Sequence, residues 1–298
     1  MSKRNWASRR NGWASWLWGL GLATLASPVG AQALLPYNPN LDAKQIEEQG
    51  LALTEDVIQL LRFQQYDLAL TRAQLATQLA PERFQTWFLL GTLLLQKKEL
   101  DQGVAALLKA QTLAPEEAGI QFTLGNAYFQ KGDYPAAIAS LQSGLAKKPD
   151  TPAALFDLAN TYFKLENYGQ AIETYEQAVR LEADFWPAIN NIGLILYEQG
   201  DTEAALERWR QALKIDPDQS EPQLAIATVL YKQGDQAEAL RLGEAALKRD
   251  RRYAELKFLE ENLWGKKLMA DTAVFFADPA LKAIIQSLPP PSEETVEN

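Results

Sequence analysis

Residues Gly125–Pro149 read GNAYFQKGDYPAAIASLQSGLAKKP. Thirty-four residues on, Ala159–Ala183 read ANTYFKLENYGQAIETYEQAVRLEA, and the same step further, Gly193–Pro217 read GLILYEQGDTEAALERWRQALKIDP. Self-similarity at one fixed interval marks a tandem array, in which each unit buries its apolar face only against its neighbours. With Leu124-Gly125 set at the seventh and eighth columns, six windows run without insertion: 50–83, 84–117, 118–151, 152–185, 186–219 and 220–253. Column eight is Val57, Gly91, Gly125, Ala159, Gly193, Ala227; column twenty is Ala69, Gly103, Ala137, Ala171, Ala205, Ala239. Column twenty-seven is Ala76, Ala110, Gly144, Ala178, Ala212, Ala246. Small side chains at helical spacing let two helices approach closely, so these columns are expected to be contact lines. The large apolar residues of column eleven, Leu60, Leu94, Tyr128, Tyr162, Leu196 and Leu230, fill the space beside them.

Each window breaks in its middle. Gly132-Asp133, Gly200-Asp201 and Gly234-Asp235 supply a glycine that ends one helix in the left-handed region and an aspartate that caps the next. In the fourth window Glu166-Asn167 stands there, and Asn167 is expected to take the left-handed role. Pro81, Pro115, Pro149 and Pro217 stop the second helices; Ala183 and Arg251 stand in that column elsewhere, which predicts less defined ends.

A 34-residue helix–turn–helix unit with these columns resembles the tetratricopeptide repeat family. Trp87 with Leu90-Gly91, Leu124-Gly125 with Tyr128, Ala171 with Tyr175, and Trp209 with Pro217 carry the resemblance, which covers residues 50–253. It implies an all-α, right-handed superhelical solenoid. Residues 32–49 form a linker and the start of the first helix, and 254–288, with Leu256, Leu259, Leu263 and Trp264, read as C-terminal capping helices. Residues 289–298, PPPSEETVEN, read as a loose acidic tail that the proline run opens.

Composition narrows function. The 298 residues contain no histidine and no cysteine, which removes imidazole acid–base chemistry, thiolate nucleophiles and the usual zinc sites. No phosphate loop or carboxylate-pair motif stands out, so the chain reads as a non-enzyme that needs no cofactor and binds no metal. Net charge is −9; Lys3, Arg4, Arg9 and Arg10 put +4 on residues 1–40, leaving −13 on the remainder. An acidic body repels phosphate backbones, which argues against a nucleic-acid partner.

The amino terminus allows two readings. Its basic start, the uncharged stretch 13–31 and the small residues Val29-Gly30-Ala31 suit a cleaved signal peptide, and so a periplasmic protein. The same 19 residues, preceded and joined by Trp6, Trp13, Trp16 and Trp18, equally suit a retained membrane anchor.

The resemblance implies a protein-binding groove on the inner face of the first helices. It would show Phe88, Phe122, Asn126, Phe129, Phe156, Asn160, Phe163, Lys164, Asn190, Tyr197 and Tyr231, with Asn126 and Asn160 gripping the backbone of an extended partner. The competing reading packs the aromatic residues between neighbouring repeats. The cationic clamp that some family members use on chaperone tails has no counterpart here. Phe122, Asp157 and Pro187 occupy its columns, so this partner is not expected. The Trp-rich start and the stretch NLWGKKLMADT (262–272) look like tetratricopeptide proteins of the cyanobacterial photosynthetic membrane. That resemblance implies a scaffold or assembly factor at the thylakoid membrane, with light-dependent protochlorophyllide oxidoreductase as client. The alternative is an exported envelope scaffold for assembly of a membrane complex.

Overall fold

Six helix pairs follow the six windows in the computed structural model, which describes residues 42–289. The pairs are α1 (Ala43–Arg62) with α2 (Tyr66–Leu79), α3 (Phe84–Gln96) with α4 (Leu100–Leu113), and α5 (Ala118–Lys131) with α6 (Tyr134–Lys147). They continue as α7 (Pro152–Lys164) with α8 (Tyr168–Leu181), α9 (Trp186–Gln199) with α10 (Thr202–Ile215), and α11 (Ser220–Gln233) with α12 (Gln236–Arg249). A short 3-10 turn (Arg251–Ala254) leads into α13 (Leu256–Glu261), α14 (Lys266–Phe276) and α15 (Pro279–Ser287). The signal or anchor segment 1–31, the linker up to residue 41 and the acidic tail beyond Pro289 lie outside the described residues. Among the described residues no helix is long and apolar enough to cross a membrane.

The small columns are the contact lines within each pair. Their alanines are fully buried from Ala69 to Ala246. The glycines among them are required by close approach. A methyl group on Gly125 would sit 2.5 Å from Leu141 Cγ, and one on Gly91 2.7 Å from Leu107 Cγ. Consecutive first helices α1, α3, α5 and α7 touch one another, whereas no such contact joins consecutive second helices to a comparable extent. The stack therefore curves with the first helices on its inner side. The result is an all-α solenoid. Buried apolar side chains form one continuous cluster from Leu141 to Leu288, and two smaller clusters serve the earlier repeats.

The turn inside each pair obeys a stricter rule than the residue types suggest. Gln64, Lys98, Gly132, Glu166, Gly200 and Gly234 all have positive φ, between 55° and 93°, and all occupy column fifteen. In the fourth window it is Glu166, not Asn167, that turns left-handed; Asn167 is the N-cap of α8. Asp133, Asp201 and Asp235 each accept a backbone N–H bond at the start of the following helix, at 3.1–3.3 Å. The second helices end in one column throughout. α8 and α12, which lack the proline, stop at Leu181 and Arg249, in step with Leu79 and Ile215. Packing against the next repeat, not the proline ring, sets that boundary.

Candidate functional site

Along the inner face the eleven candidate residues divide into two groups. Phe88, Phe122 and Phe156 are half-buried between neighbouring repeats. Phe122 lies over Gly144, and the Phe156 ring is 5.6 Å from Tyr175 and 5.5 Å from Phe185. Phe129 is half-buried against Tyr134, centroid to centroid 5.6 Å. Asn126 is exposed, and its carbonyl accepts a bond from Gln130 at 2.6 Å. Asn160 is half-buried, and its carbonyl accepts from the Tyr175 hydroxyl and from the Asn191 amide, the latter at 3.0 Å. Among the described residues, no element from beyond the repeats packs along α3, α5 or α7, which carry these six.

The other five are taken up by the chain itself. After the last repeat the chain turns back, and α14 packs along α9 and α11. Tyr197 is buried; its hydroxyl donates to Asp271 at 2.6 Å, and Lys267 Nζ lies 4.3 Å above its ring. Tyr231 donates to Asp278 at 3.0 Å and stacks on Phe275 at 4.9 Å. Lys164 reaches the Glu260 carbonyl at 3.4 Å, and Phe163 is buried against Tyr168. Asn190 is buried at 0% exposure, bonded through its amide to Asn191 at 3.1 Å. The expectation that these side chains line an open groove is corrected: Lys164, Tyr197 and Tyr231 are engaged by residues 256–278, and Phe163 and Asn190 are buried. Column position fixes direction, not accessibility, because a segment outside the repeats supplies the cover. The expected cap is also present, since Phe275 and Leu281 pack over Gly243 of α12.

Charge holds this strap in register. Glu198 accepts from the backbone N–H groups of Lys267 and Leu268 at 3.0 and 2.9 Å, capping α14 with a carboxylate where the helix dipole is positive. Lys266 pairs with Glu166 at 2.8 Å, and Lys232 with Asp271 at 2.8 Å. Thr228 and Thr272 share a buried hydrogen bond at 3.2 Å.

Beneath the inner face runs a polar chain that column reading did not identify as a unit. Tyr175 is bonded to both Asn160 and Asn191, and burial pushes its hydroxyl well up from the usual phenol range. Asn191 joins Asn190, whose Oδ1 is buried without a hydrogen-bond partner among the described residues. Glu221, also buried, accepts from Trp264 Nε1 at 3.0 Å, and burial pushes its carboxyl up to about 7. Asp157 lies on α7, one turn before Thr161 and Asn160, and burial pushes it up to about 6. The available signal was a run of polar residues in column six, Thr123, Asp157 and Asn191, where a helix interior would hold apolar ones. Among the described residues no cluster of three carboxylates converges as a metal site requires.

A family profile described as the cytochrome c-type biogenesis protein H TPR domain matches residues 31–184, more than half of the chain, and a TPR repeat profile matches 193–234. No curated protein matches. Among solved structures, Pseudomonas aeruginosa pilF superposes with a TM-score of 0.60 at 15% identity, covering 74% of this chain and 97% of that one. The MamA protein gives 0.53 at 21% identity, covering 58% and 93%. YrrB, described as a TPR protein with an unusual peptide-binding site, gives 0.51 at 18% identity, covering 60% and 94%. At these identities the likeness is one of fold.

Proposed function

The chain belongs to the tetratricopeptide repeat family represented by the cytochrome c-type biogenesis protein H TPR domain, and on that premise we propose that it holds a segment of a client protein along the inner face of its second to fourth repeats. It is a protein–protein interaction scaffold by family. The observation that carries the groove assignment is the division of the inner face: among the described residues the strap engages Tyr197 and Tyr231 and does not pack along α3, α5 or α7, which carry Phe88 to Asn160. Two amides in one column of adjacent repeats, Asn126 and Asn160, offer hydrogen bonds to an extended backbone at matching spacing.

The client favoured by the Trp-rich start and the 262–272 stretch is light-dependent protochlorophyllide oxidoreductase, held at the thylakoid membrane through contact by residues 13–31. A second reading, an exported envelope scaffold that assembles a membrane complex, draws support from the profile over 31–184 and from the Val29-Gly30-Ala31 cleavage pattern. Pull-down with the purified oxidoreductase tests the first, and mass spectrometry of the mature amino terminus tests the second. In either case Asn126→Ala with Asn160→Ala removes two client hydrogen bonds of about 0.5–1.5 kcal/mol each, so client binding should weaken about tenfold; Asn160 also accepts from Tyr175 and Asn191, so Asn126→Ala alone, weakening binding severalfold, is the variant that leaves the fold intact. Normal capture by the double variant would refute the groove.

A further inference from the structure

Between α5 and α7 the inner face opens into a cavity of about 90 Å³, lined by Gly125, Asn126, Phe129, Leu141, Asp157 and Asn160. Its floor is apolar and fully buried at Leu141. Its one ionisable group is Asp157. The backbone carbonyl of Asp157 accepts from Thr161 at 2.7 Å, but no hydrogen bond or ion pair from the described residues reaches its carboxylate. The cations on the same two helices point elsewhere: Lys131 pairs with Asp101, and Lys164 bonds the Glu260 carbonyl.

A half-buried carboxylate without a partner is costly, and it is relieved by an opposite charge or by protonation. Burial alone raises this carboxyl, to about 6, so no charge among the described residues supplies that relief. The neighbouring groups sort by chemistry. Asn126 Oδ1 takes one bond from Gln130 and keeps a second acceptor position. Asn160 has its carbonyl filled by Tyr175 and Asn191, which leaves its amide N–H groups for a backbone carbonyl. Phe129 adds an aromatic wall of the kind that attracts cations. The acidic body, net −13 beyond residue 40, favours a basic segment at long range.

We propose that this pocket receives a lysine or arginine side chain of the client segment, paired with Asp157, while Asn160 holds the adjoining backbone. The assignment rests on the groove reading given above and names the chemistry of the residue that the groove reads. A neutral donor or water would leave the carboxylate without a counter-charge, whereas an ammonium or guanidinium satisfies it directly.

The test uses the full-length chain and fluorescein-labelled twelve-residue peptides of alanine, serine and glycine. Each carries one central arginine, lysine, citrulline, norleucine or glutamate. Anisotropy titrations should show arginine and lysine peptides binding at least about tenfold tighter than citrulline and norleucine peptides, with glutamate weakest. Asp157→Asn should level the series without loss of helicity, because asparagine keeps the shape and removes the charge. Arginine and citrulline differ chiefly in charge, so the wild-type comparison decides even if the variant folds poorly. Equal binding of the charged and neutral peptides, no binding of any peptide, or a preference that survives Asp157→Asn would each overturn the pocket. Capture of the client with sensitivity to Asn126→Ala and Asn160→Ala, alongside such a result, would keep the groove and remove only its cation specificity.

Discussion

Replacing Gly193 with alanine adds one methyl group against the indole of Trp209. The new carbon would lie 2.6 Å from Nε1 and 2.8 Å from Cδ1 of that ring. Non-bonded carbon contacts settle near 3.5–4.0 Å, so the ring has to retreat by about 1 Å. It has nowhere to go: Trp209 is 0% exposed, and its Nε1 donates to the Asn190 carbonyl at 3.2 Å. Overpacking of this kind costs about 1–3 kcal/mol, and a strained or lost hydrogen bond about 1 kcal/mol more. Alanine's better helix propensity returns roughly 1 kcal/mol. The net loss is about 1–3 kcal/mol, which lowers Tm by about 4–8 °C at the middle of that range for a chain of this size. Gly169→Ala is the control, since a methyl group there meets nothing within 4 Å. It should leave stability unchanged or raise it slightly. Circular dichroism at 222 nm and tryptophan fluorescence, followed through heating, give both numbers. A Gly193→Ala protein as stable as the wild type would refute the close-contact account of the small columns.

Two further expectations concern charge and backbone. Glu221 titrates near 7 in the fold against an ordinary value of 4.5, so the folded state holds the proton more tightly between these values. Stability is then full below about pH 4.5 and falls as pH rises through 7, by about 3 kcal/mol for a shift of this size. Asp157, raised from 3.8 to about 6, adds a fall in the same direction at lower pH. Glu221→Gln should remove most of the decline between pH 5 and 7 in urea titrations, and an unchanged slope would refute the burial argument. Lys98, exposed and left-handed at φ 63°, should gain about 0.5–1 kcal/mol on replacement by glycine, read from the same titrations.

The six windows were legible because three small columns recur at contact spacing, and a methyl group at Gly125 or Gly91 shows why nothing larger fits. Left-handed turns were legible only where glycine advertises them. Gln64, Lys98 and Glu166 adopt the same φ because the turn between two packed helices fixes the column, whatever residue occupies it. Asn167 was the better left-handed residue by propensity, and geometry overrode propensity. The candidate site was legible in direction but not in access. Tyr197 and Tyr231 sit in the same column as Phe129 and Phe163, and the column cannot report that Asp271 and Asp278 arrive from beyond the repeats. Residues 256–288 lack the period, so no register told where they would lie. Their charges held a hint, since Lys266 and Asp271 complement Glu166 and Lys232. Asp157 stood out as a wrong member of a cationic clamp and as a polar residue in column six; its exposure to a cavity is a property of two adjacent helices together.

The strap also decides the order in which the molecule comes apart. In a plain stack each repeat meets only its neighbours, and melting can begin at either end. Here α13 and α14 reach the fourth repeat through Lys164 and the turn residue Glu166, α9 through Glu198, and α11 through Lys232. Opening the sixth repeat means tearing contacts to the fourth and fifth as well, so these three unfold as one block. The first three repeats have no such brace among the described residues, and the first two, with α5, rest on smaller, separate apolar clusters. Amide exchange should therefore show a plateau of protection from α7 to α12 and a staircase descending toward α1. Tension applied at the amino terminus would peel the array one pair at a time until it meets the block, where the force required rises abruptly.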